Sequence, residues 1–157
     1  MSGQGTLISG NGGVTYTGSF RNGFKWGKGK IVDNINQYTF EGNLVQNRIE
    51  GEGSKVDHRE GTKYAGDFVD GEKSGHGNCL YPNGSRFKGQ WRNDLPYQGE
   101  LMLRTGDRMQ GEWKDDRFSG AGTIQYFNGN QYDGEWRMNL PHGFGMMKFQ
   151  DGSVYNG

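Results

Sequence analysis

Apolar and polar residues alternate along the chain in short segments that are interrupted by glycine. In YDGEW, Tyr132, Gly134 and Trp136 occupy alternate positions, and charged residues stand between them. Because the side chains of a strand point alternately to its two faces, this pattern predicts a strand with one aromatic and one charged face. The pattern recurs as YTGSF, FEGNL, YAGDF, FKGQW and MQGEW, so each of these segments is predicted to be a strand.

A second apolar segment follows each of these strands and is predicted to complete a hairpin. The eighth position of each unit holds a residue type that tolerates positive φ, namely Gly23, Asn47, Gly71, Asp94, Asp116 or Asn139. The chain then passes through Gly-x-Gly and an apolar run such as GTIQY, and most units end on Asn-Gly or a similar pair. Such pairs favour tight hairpin turns, and glycines at this density exclude a long helix.

The strand pattern repeats with a nearly constant period. Successive units begin 24, 24, 23, 22 and 23 residues apart. The predicted units are a half repeat at 3–15, repeats at 16–39, 40–63, 64–86, 87–108, 109–131 and 132–154, and a truncated repeat at 155–157. We therefore predict a single array over 1–157 in which each unit packs on its neighbours. The expected fold class is all-β, an elongated, twisted single-layer antiparallel sheet of stacked β-hairpins.

The glycine between two aromatic positions predicts close packing of rings. Without a Cβ atom, Gly134 leaves a notch between Tyr132 and Trp136, and an aromatic ring from the neighbouring strand is expected to fill it. A strand glycine costs about 0.5–1 kcal/mol relative to alanine, whereas burial of a ring contributes about 1.5–3 kcal/mol. The rings are therefore expected to hold adjacent hairpins together.

Composition favours a thin folded sheet and excludes several classes of protein. A mean hydropathy of -0.96 would favour disorder, but an aromatic content of 13% supplies ring area to bury. The 18 Lys+Arg and 18 Asp+Glu cancel, so no nucleic-acid partner is predicted. The single cysteine, Cys79, precludes an internal disulfide and fits a reducing compartment such as the cytosol. Neither a signal peptide nor an apolar run of membrane-spanning length is present in the sequence.

The combined motif resembles the MORN repeat (membrane occupation and recognition nexus). The motif consists of Tyr-x-Gly-x-Trp, a turn, Gly-x-Gly and then Asp/Asn-Gly, and it covers essentially the whole chain. Departures occur at Leu44, at Met109 and in the glycines of the fourth unit. The resemblance implies an elongated single-layer β-sheet and a non-catalytic scaffold or tether for partner proteins. Such arrays accompany catalytic domains, or occur in cilia, flagella, basal bodies and cytoskeletons, or at membrane junctions.

No group of residues has the spacing of a catalytic or metal site. His58, His76 and His142 occupy unrelated repeat positions, and none is spaced to pair with a carboxylate or with Cys79. The glycine pairs lack the third glycine and the following helix of a dinucleotide-binding motif. We therefore predict no catalytic residue, no bound metal and no cofactor, and hence no enzymatic activity.

Two surfaces are predicted to bind a partner. The first is the aromatic face, part of which is expected to stay open as a groove for a peptide or a helix. Its residues are Tyr16, Phe20, Phe40, Tyr64, Phe68, Phe87, Trp91, Trp113, Tyr132 and Trp136. The alternative, that these rings only hold the sheet together, stays open. The second surface consists of turn-tip aromatics that the repeat does not require, namely Phe24, Trp26, Tyr97 and Phe118.

The first predicted function is a scaffold or adaptor that binds another protein in a cytoskeletal or ciliary (axonemal) assembly, in the cytoplasm, cytoskeleton or cilium. One alternative is a peripheral membrane tether that binds phosphoinositides, although charges of both signs on one face disfavour an anionic-phospholipid site. Another is the targeting half of a longer enzyme, because the sequence stops at YNG, three residues into a unit. An open edge there also predicts strand pairing with another chain or with a second copy in a homo-oligomer.

Overall fold

The computed structural model describes residues 2–157, and its regular elements are strands joined by turns. The chain divides into two compact units, the first ending at Pro82 and the second beginning at Asn83. Neither unit contains a helix within the described residues, so the predicted all-β class is confirmed. Met1, which the predicted array includes, lies outside the described residues, and the single array over 1–157 stays a prediction.

The first unit is an open antiparallel sheet in which each strand pairs with the next strand of the chain. Its seven strands are β1 (Gly3–Ile8), β2 (Val14–Arg21), β3 (Phe24–Asp33), β4 (Tyr38–Val45), β5 (Arg48–Asp57), β6 (Lys63–Val69) and β7 (Glu72–Leu80). Antiparallel neighbours can be joined by tight turns, which is why the short polar segments between the apolar runs suffice as connections.

The second unit repeats this arrangement. Its seven strands are β8 (Arg86–Arg92), β9 (Leu95–Met102), β10 (Arg108–Lys114), β11 (Arg117–Gln125), β12 (Gln131–Arg137), β13 (Leu140–Lys148) and β14 (Val154–Asn156). Within each unit, no second layer of structure is present in the described residues. The predicted single-layer sheet of hairpins is therefore confirmed for each unit.

The turns inside the hairpins lie where the sequence predicts them. Asn47 and Asn139 have φ of 70° and 69°, and the residues before them, Gln46 and Met138, have φ of 49° and 51°. Two successive positive φ angles define a type I′ turn, whose twist matches that of the flanking strands. Positive φ occurs at all six predicted positions, Gly23, Asn47, Gly71, Asp94, Asp116 and Asn139.

Each full hairpin brings two glycines into register across its strands. The pairs are Gly18 with Gly29, Gly42 with Gly53, Gly66 with Gly77, Gly89 with Gly99, Gly111 with Gly122, and Gly134 with Gly145. A Cβ atom on Gly66 would lie 2.5 Å from the Cα atom of Gly77, and a Cβ atom on Gly77 would overlap the Tyr64 ring. The two backbones and the ring therefore approach more closely than any side chain permits.

At five of the six glycine pairs the ring belongs to the strand that carries the first glycine and not to its neighbour, which corrects the sequence-based expectation; the exception is Phe118. In the first hairpin the ring is that of Tyr16, and it covers both Gly18 and Gly29. The Tyr16 hydroxyl donates a hydrogen bond of 2.7 Å to the carbonyl oxygen of Ser19. This bond holds the ring along its own strand, because a buried hydroxyl requires an acceptor.

Neighbouring hairpins meet through edge-to-face contacts between rings. Phe68 packs at 5.3 Å from Phe40 and at 5.1 Å from Tyr64, with interplanar angles of 87° and 83°. In the second unit, Phe87 packs at 5.2 Å from Trp91 and at 5.7 Å from Trp113. This geometry places the positive edge of one ring against the negative face of another, so the aromatic face forms the core of each unit.

The loop between β3 and β4 lacks an Asn-Gly pair and is held by a buried carboxylate. Asp33, which is 5% exposed, accepts hydrogen bonds from the backbone N–H groups of Ile35 at 2.9 Å and Asn36 at 2.8 Å. Its second oxygen accepts a hydrogen bond of 2.9 Å from the Asn36 side-chain amide. The hydrogen bonds from Asn36 hold the pKa of Asp33 below its ordinary value.

We expect Asp33→Asn to lower the free energy of unfolding by about 1–2 kcal/mol near neutral pH, because one carboxylate acceptor becomes a donor. The folded pKa of Asp33 lies below its unfolded value of about 3.9, so its contribution is present above that pH and is lost as the pH falls through the folded pKa. Urea unfolding at neutral and acidic pH should show the difference between the two proteins shrinking below about pH 4. The control is Asp115→Asn, in an exposed turn. A stability difference that does not change with pH, or an equal loss of stability in Asp115→Asn, would contradict the role of the Asp33 carboxylate.

Candidate protein-binding surfaces

Most residues predicted to line a groove on the aromatic face are buried. Exposure is at most 5% at Tyr16, Phe40, Tyr64, Phe68, Phe87, Trp91 and Trp136. Phe20, Trp113 and Tyr132 are half-buried. Because the rings pack on glycines and on each other, they present little area to a partner, and their role in partner binding stays a prediction.

Phe118, expected at a turn tip, is 0% exposed and lies in the core of the second unit. Met109 stands at the first aromatic position of this repeat, and the ring over Gly122 is that of Phe118 instead. The Phe118 ring packs at 5.0 Å from Trp113 and at 4.9 Å from Trp136. Phe118 therefore supplies from β11 the ring that β10 lacks. The paired departures at positions 109 and 118 are the signal in the sequence that reveals this exchange.

The other turn-tip aromatics reach the surface. Phe24 is 46% exposed and Tyr97 is 38% exposed, while Trp26 is half-buried. The Arg21 guanidinium lies over the Trp26 ring at 5.2 Å. The Arg92 guanidinium lies over the Tyr97 ring at 4.5 Å. Trp26 and Tyr97 therefore each stand beside a positive charge that a cation–π contact holds in place.

The Arg21–Trp26 and Arg92–Tyr97 pairs occupy the same position of the repeat. One lies on hairpin β2–β3 of the first unit and the other on hairpin β8–β9 of the second unit. The arginines follow the last aromatic of β2 and of β8, so they lie on the solvent face, which we define as the face opposite to the aromatic face. The same contact therefore recurs once in each unit, on a face where the repeat places polar residues.

Strand β3 also carries two lysines on the solvent face, at positions that the repeat motif does not mark. Lys30 forms an ion pair of 2.6 Å with Glu41 of β4, and Lys28 is exposed. The equivalent positions of the other full hairpins are Glu52 and Ser54, His76 and Asn78, Gln98 and Glu100, Ala121 and Thr123, and Phe144 and Met146. Comparison of the repeats position by position is what reveals this pair of lysines.

The last hairpin exposes apolar side chains on the second unit. Phe144 is 87% exposed, Leu140 is 67% exposed and Met138 is 60% exposed. Strand β14 pairs with β13, and this pairing extends to Gly157, which exchanges two backbone hydrogen bonds with Gly145. Pairing of this edge with another chain, or with a second copy, stays a prediction.

Chemically reactive groups are scarce on the surface of both units. Across residues 2–157, no three or more His, Cys, Asp and Glu side chains are grouped so that they could hold a metal ion. Cys79 is 2% exposed, and burial raises the pKa of its thiol, which keeps the reactive thiolate form rare. The same stretch of the chain contains no helix long and apolar enough to cross a bilayer.

Several solved structures share this fold. The TCP domain of SAS-4 (dCPAP) from Drosophila melanogaster, in complex with a proline-rich motif of Ana2 (dSTIL), has a TM-score of 0.56 and 10% identity over 98% of this chain and 88% of that chain. The TCP10c domain of Drosophila melanogaster Sas-4 has a TM-score of 0.52 and 12% identity over 98% of both chains. The TCP10 domain of Danio rerio CPAP, in complex with a STIL peptide, has a TM-score of 0.51 and 16% identity over 98% of this chain and 73% of that chain. At these identities the likeness shows the fold alone.

Sequence comparison gives the family. No curated protein matches the chain. The MORN repeat family matches at residues 1–14, 16–34, 64–86, 87–96, 110–131 and 132–154, which together make up more than half of the chain. These stretches contain four of the six glycine pairs, the turn at Asn139 and most of the packed rings described above. The chain therefore belongs to the MORN repeat family.

Proposed function

We propose that this protein is a non-catalytic scaffold or adaptor that holds a segment of another protein. The observation that carries the proposal is the recurrence of Arg21 over Trp26 and Arg92 over Tyr97 at one repeat position. The repeat fold does not need an aromatic residue there, because its core rings lie on the opposite face. An exposed ring beside a cation offers a partner both apolar area and charge, which are the features enriched where proteins bind.

A peptide is the partner class that the similar structures support. The Sas-4 TCP domain is in complex with a proline-rich motif of Ana2, and the CPAP TCP10 domain is in complex with a STIL peptide. Proline-rich segments are pre-ordered in an extended helix, so they lose little entropy on binding and pack their rings on exposed aromatics. We infer that Trp26 in the first unit and Tyr97 in the second each bind such a segment.

The proposed setting is the cytoskeleton or a cilium. Membership of the MORN repeat family favours this setting, because arrays of this family occur in cilia and cytoskeletons. Proximity labelling in the native cell, with the labelling enzyme fused to this protein, tests the setting directly. Enrichment of cytoskeletal or axonemal proteins is expected, whereas enrichment of membrane proteins alone would contradict it.

We expect the double substitution Trp26→Ala and Tyr97→Ala to reduce partner recovery in a pull-down by about tenfold or more, because aromatic anchors at interfaces commonly contribute about 2 kcal/mol. Quantitative mass spectrometry of the recovered proteins measures this effect. The matched control is Phe127→Ala, which removes an aromatic that is 81% exposed and lies at the opposite end of its hairpin. Equal partner recovery by the wild type, the double variant and Phe127→Ala would overturn the proposed role of Trp26 and Tyr97.

A further inference from the structure

We propose that the solvent face of the first unit binds an acidic, extended peptide in a shallow trough that crosses β2, β3 and β4. The inference rests on the proposed function, for which it names a surface and the chemistry of the partner. We define the trough by its floor, which is the backbone of Gly18, Gly29 and Gly42, and by the side chains of Lys28, Lys30 and Glu41, which line the same hollow.

The alternation of side chains along β2, β3 and β4 leaves the trough open on the solvent face. Gly29 pairs with Gly18 on one side and with Gly42 on the other, so three glycines stand side by side across three strands. Side chains at these positions would point to the aromatic face, where a Cβ atom on Gly29 would overlap the Tyr16 ring. The solvent face therefore shows bare backbone along this row, and the neighbouring residues of each strand rise on either side of it.

Lys28 and Lys30 stand on opposite sides of this row. They are two residues apart on β3 and share its solvent face, which separates their Cα atoms by about 7 Å. A carboxylate lying in the trough between them can therefore approach both ammonium groups. Lys30 already pairs with Glu41, whereas Lys28 forms no ion pair with any of the described residues. An acidic partner would supply a carboxylate to pair with the Lys28 ammonium group.

Hydrogen-bonding side chains extend the trough towards β1. The Gln4 side-chain amide donates a hydrogen bond of 2.8 Å to the Ser19 hydroxyl. The hydroxyls of Thr6 and Thr17 lie 3.2 Å apart on the same face. These pairs flank the glycine row on β1 and β2, and each retains spare donors or acceptors. They can bind the exposed backbone groups of an extended chain, which has no internal hydrogen bonds of its own.

An apolar surface adjoins the lysines. Trp26 precedes Lys28 by two residues on β3, and its ring carries the Arg21 guanidinium at 5.2 Å. Phe24, at 46% exposure, lies further along the same strand. A peptide that places a carboxylate between the lysines and then turns out of the trough along β3 brings its next residues over these rings, where proline packs well. The partner chemistry that fits both parts is an acidic, proline-containing segment.

The second unit provides a natural comparison for this site. Tyr97 and Arg92 reproduce the ring and its cation, but the positions of Lys28 and Lys30 are taken by Gln98 and Glu100. Hairpin β8–β9 therefore has the apolar part of the site without the two lysines. We expect the acidic segment to bind the first unit in preference to the second.

An anionic membrane fits this surface less well than a peptide does. Juxtamembrane recognition of anionic lipids uses clusters of about 4–8 basic residues. The solvent face of β2 and β3 carries Arg21, Lys28 and Lys30, and Glu41 offsets one of these charges. Lys25 is directed to the aromatic face, where its ammonium group lies over the Tyr16 ring at 5.2 Å.

The test is a fluorescence-anisotropy titration of the full chain with a labelled peptide of alternating proline and glutamate. The same peptide with glutamine in place of glutamate is the comparison. We expect binding of the acidic peptide only, and a loss of about tenfold or more in affinity for Lys28→Glu, because charge reversal replaces attraction by repulsion. The matched control, Lys88→Glu on β8, makes the same change in net charge and is expected to alter affinity by less than about twofold.

Three results would overturn the inference. The first is equal binding of the acidic and the neutral peptide, and the second is an equal loss of affinity for Lys28→Glu and Lys88→Glu. The third is Lys28-dependent binding to vesicles of phosphatidylcholine with phosphatidylinositol bisphosphate when the acidic peptide does not bind. Thermal unfolding of each variant establishes that it is folded. We expect both variants to fold, because Lys28 and Lys88 are exposed.

The pull-down described above separates this inference from the proposed function. If Trp26→Ala with Tyr97→Ala abolishes partner recovery while the acidic peptide fails to bind, the scaffold function stands and the acidic-peptide site is wrong. If the acidic peptide binds through Lys28 while the double variant recovers every partner normally, the trough is a binding site but the proposed role of the turn-tip aromatics is wrong.

Discussion

Gly66→Ala is expected to lower the free energy of unfolding by about 3 kcal/mol, at the upper end of the usual cost of overpacking. The added Cβ atom would lie 2.5 Å from the Cα atom of Gly77 and would also overlap the carbonyl oxygen of His76. Both are backbone atoms of β7, so no change of side-chain rotamer relieves the contact. Strands β6 and β7 must separate, which breaks hydrogen bonds and displaces the Tyr64 ring.

Urea unfolding monitored by tryptophan fluorescence measures this change. Gly10→Ala is the matched control, because a Cβ atom on Gly10 meets no atom within 4 Å and the residue lies outside the positive-φ region. Gly10→Ala is expected to leave the free energy of unfolding unchanged or to raise it by about 0.4–1 kcal/mol, because alanine lowers the conformational entropy of the unfolded chain. A Gly66→Ala protein as stable as Gly10→Ala would contradict the close approach of the two backbones.

Phe118→Ala is expected to lower the free energy of unfolding by about 4 kcal/mol, the cost of removing a fully buried phenylalanine ring. The ring has 0% exposure, covers Gly122 and contacts both Trp113 and Trp136, so its loss opens a cavity bordered by two large rings. Phe127→Ala, at a residue that is 81% exposed, is expected to change the stability by less than about 0.5 kcal/mol.

A double-mutant cycle with Met109→Phe tests the exchange of rings between β10 and β11. In the Phe118→Ala background, Met109→Phe returns an aromatic to the position used by the other repeats and is expected to recover about half of the lost stability. In the wild-type background, the same substitution competes with Phe118 for one space and is expected to cost about 1–3 kcal/mol. Additive effects of the two substitutions would show that the side chains do not share the space over Gly122.

The order of strands and turns was predictable because it depends on local properties of the chain. Alternation with period two assigns Tyr132 and Trp136 to one face whatever their neighbours are, and the two rings are found 5.2 Å apart. Positive φ at Asn47 and Asn139 depends on the residue type itself. These features are repeated in every unit, so the sequence alone also led to the MORN repeat family.

The identity of the ring that fills each notch was not predictable in the same way. The motif at 109–113 has Met109 in place of its first aromatic, and the structure supplies the missing ring from Phe118 on the next strand. The notch between Tyr132 and Trp136 is likewise filled by the Tyr132 ring itself and not by a neighbour. Such choices depend on the volumes available between strands, which no local pattern encodes.

By itself, therefore, the sequence determined the hairpins, their turns, the period and the division into an aromatic and a charged face. Only the tertiary structure decided that the aromatic face is packed shut, that Arg21 lies over Trp26, and that Lys28 and Lys30 flank a row of bare glycine backbone. Secondary structure follows from dihedral preferences and side-chain alternation within a few residues. Burial and charge pairing instead follow from contacts between residues on different strands, which become defined when the strands are in register.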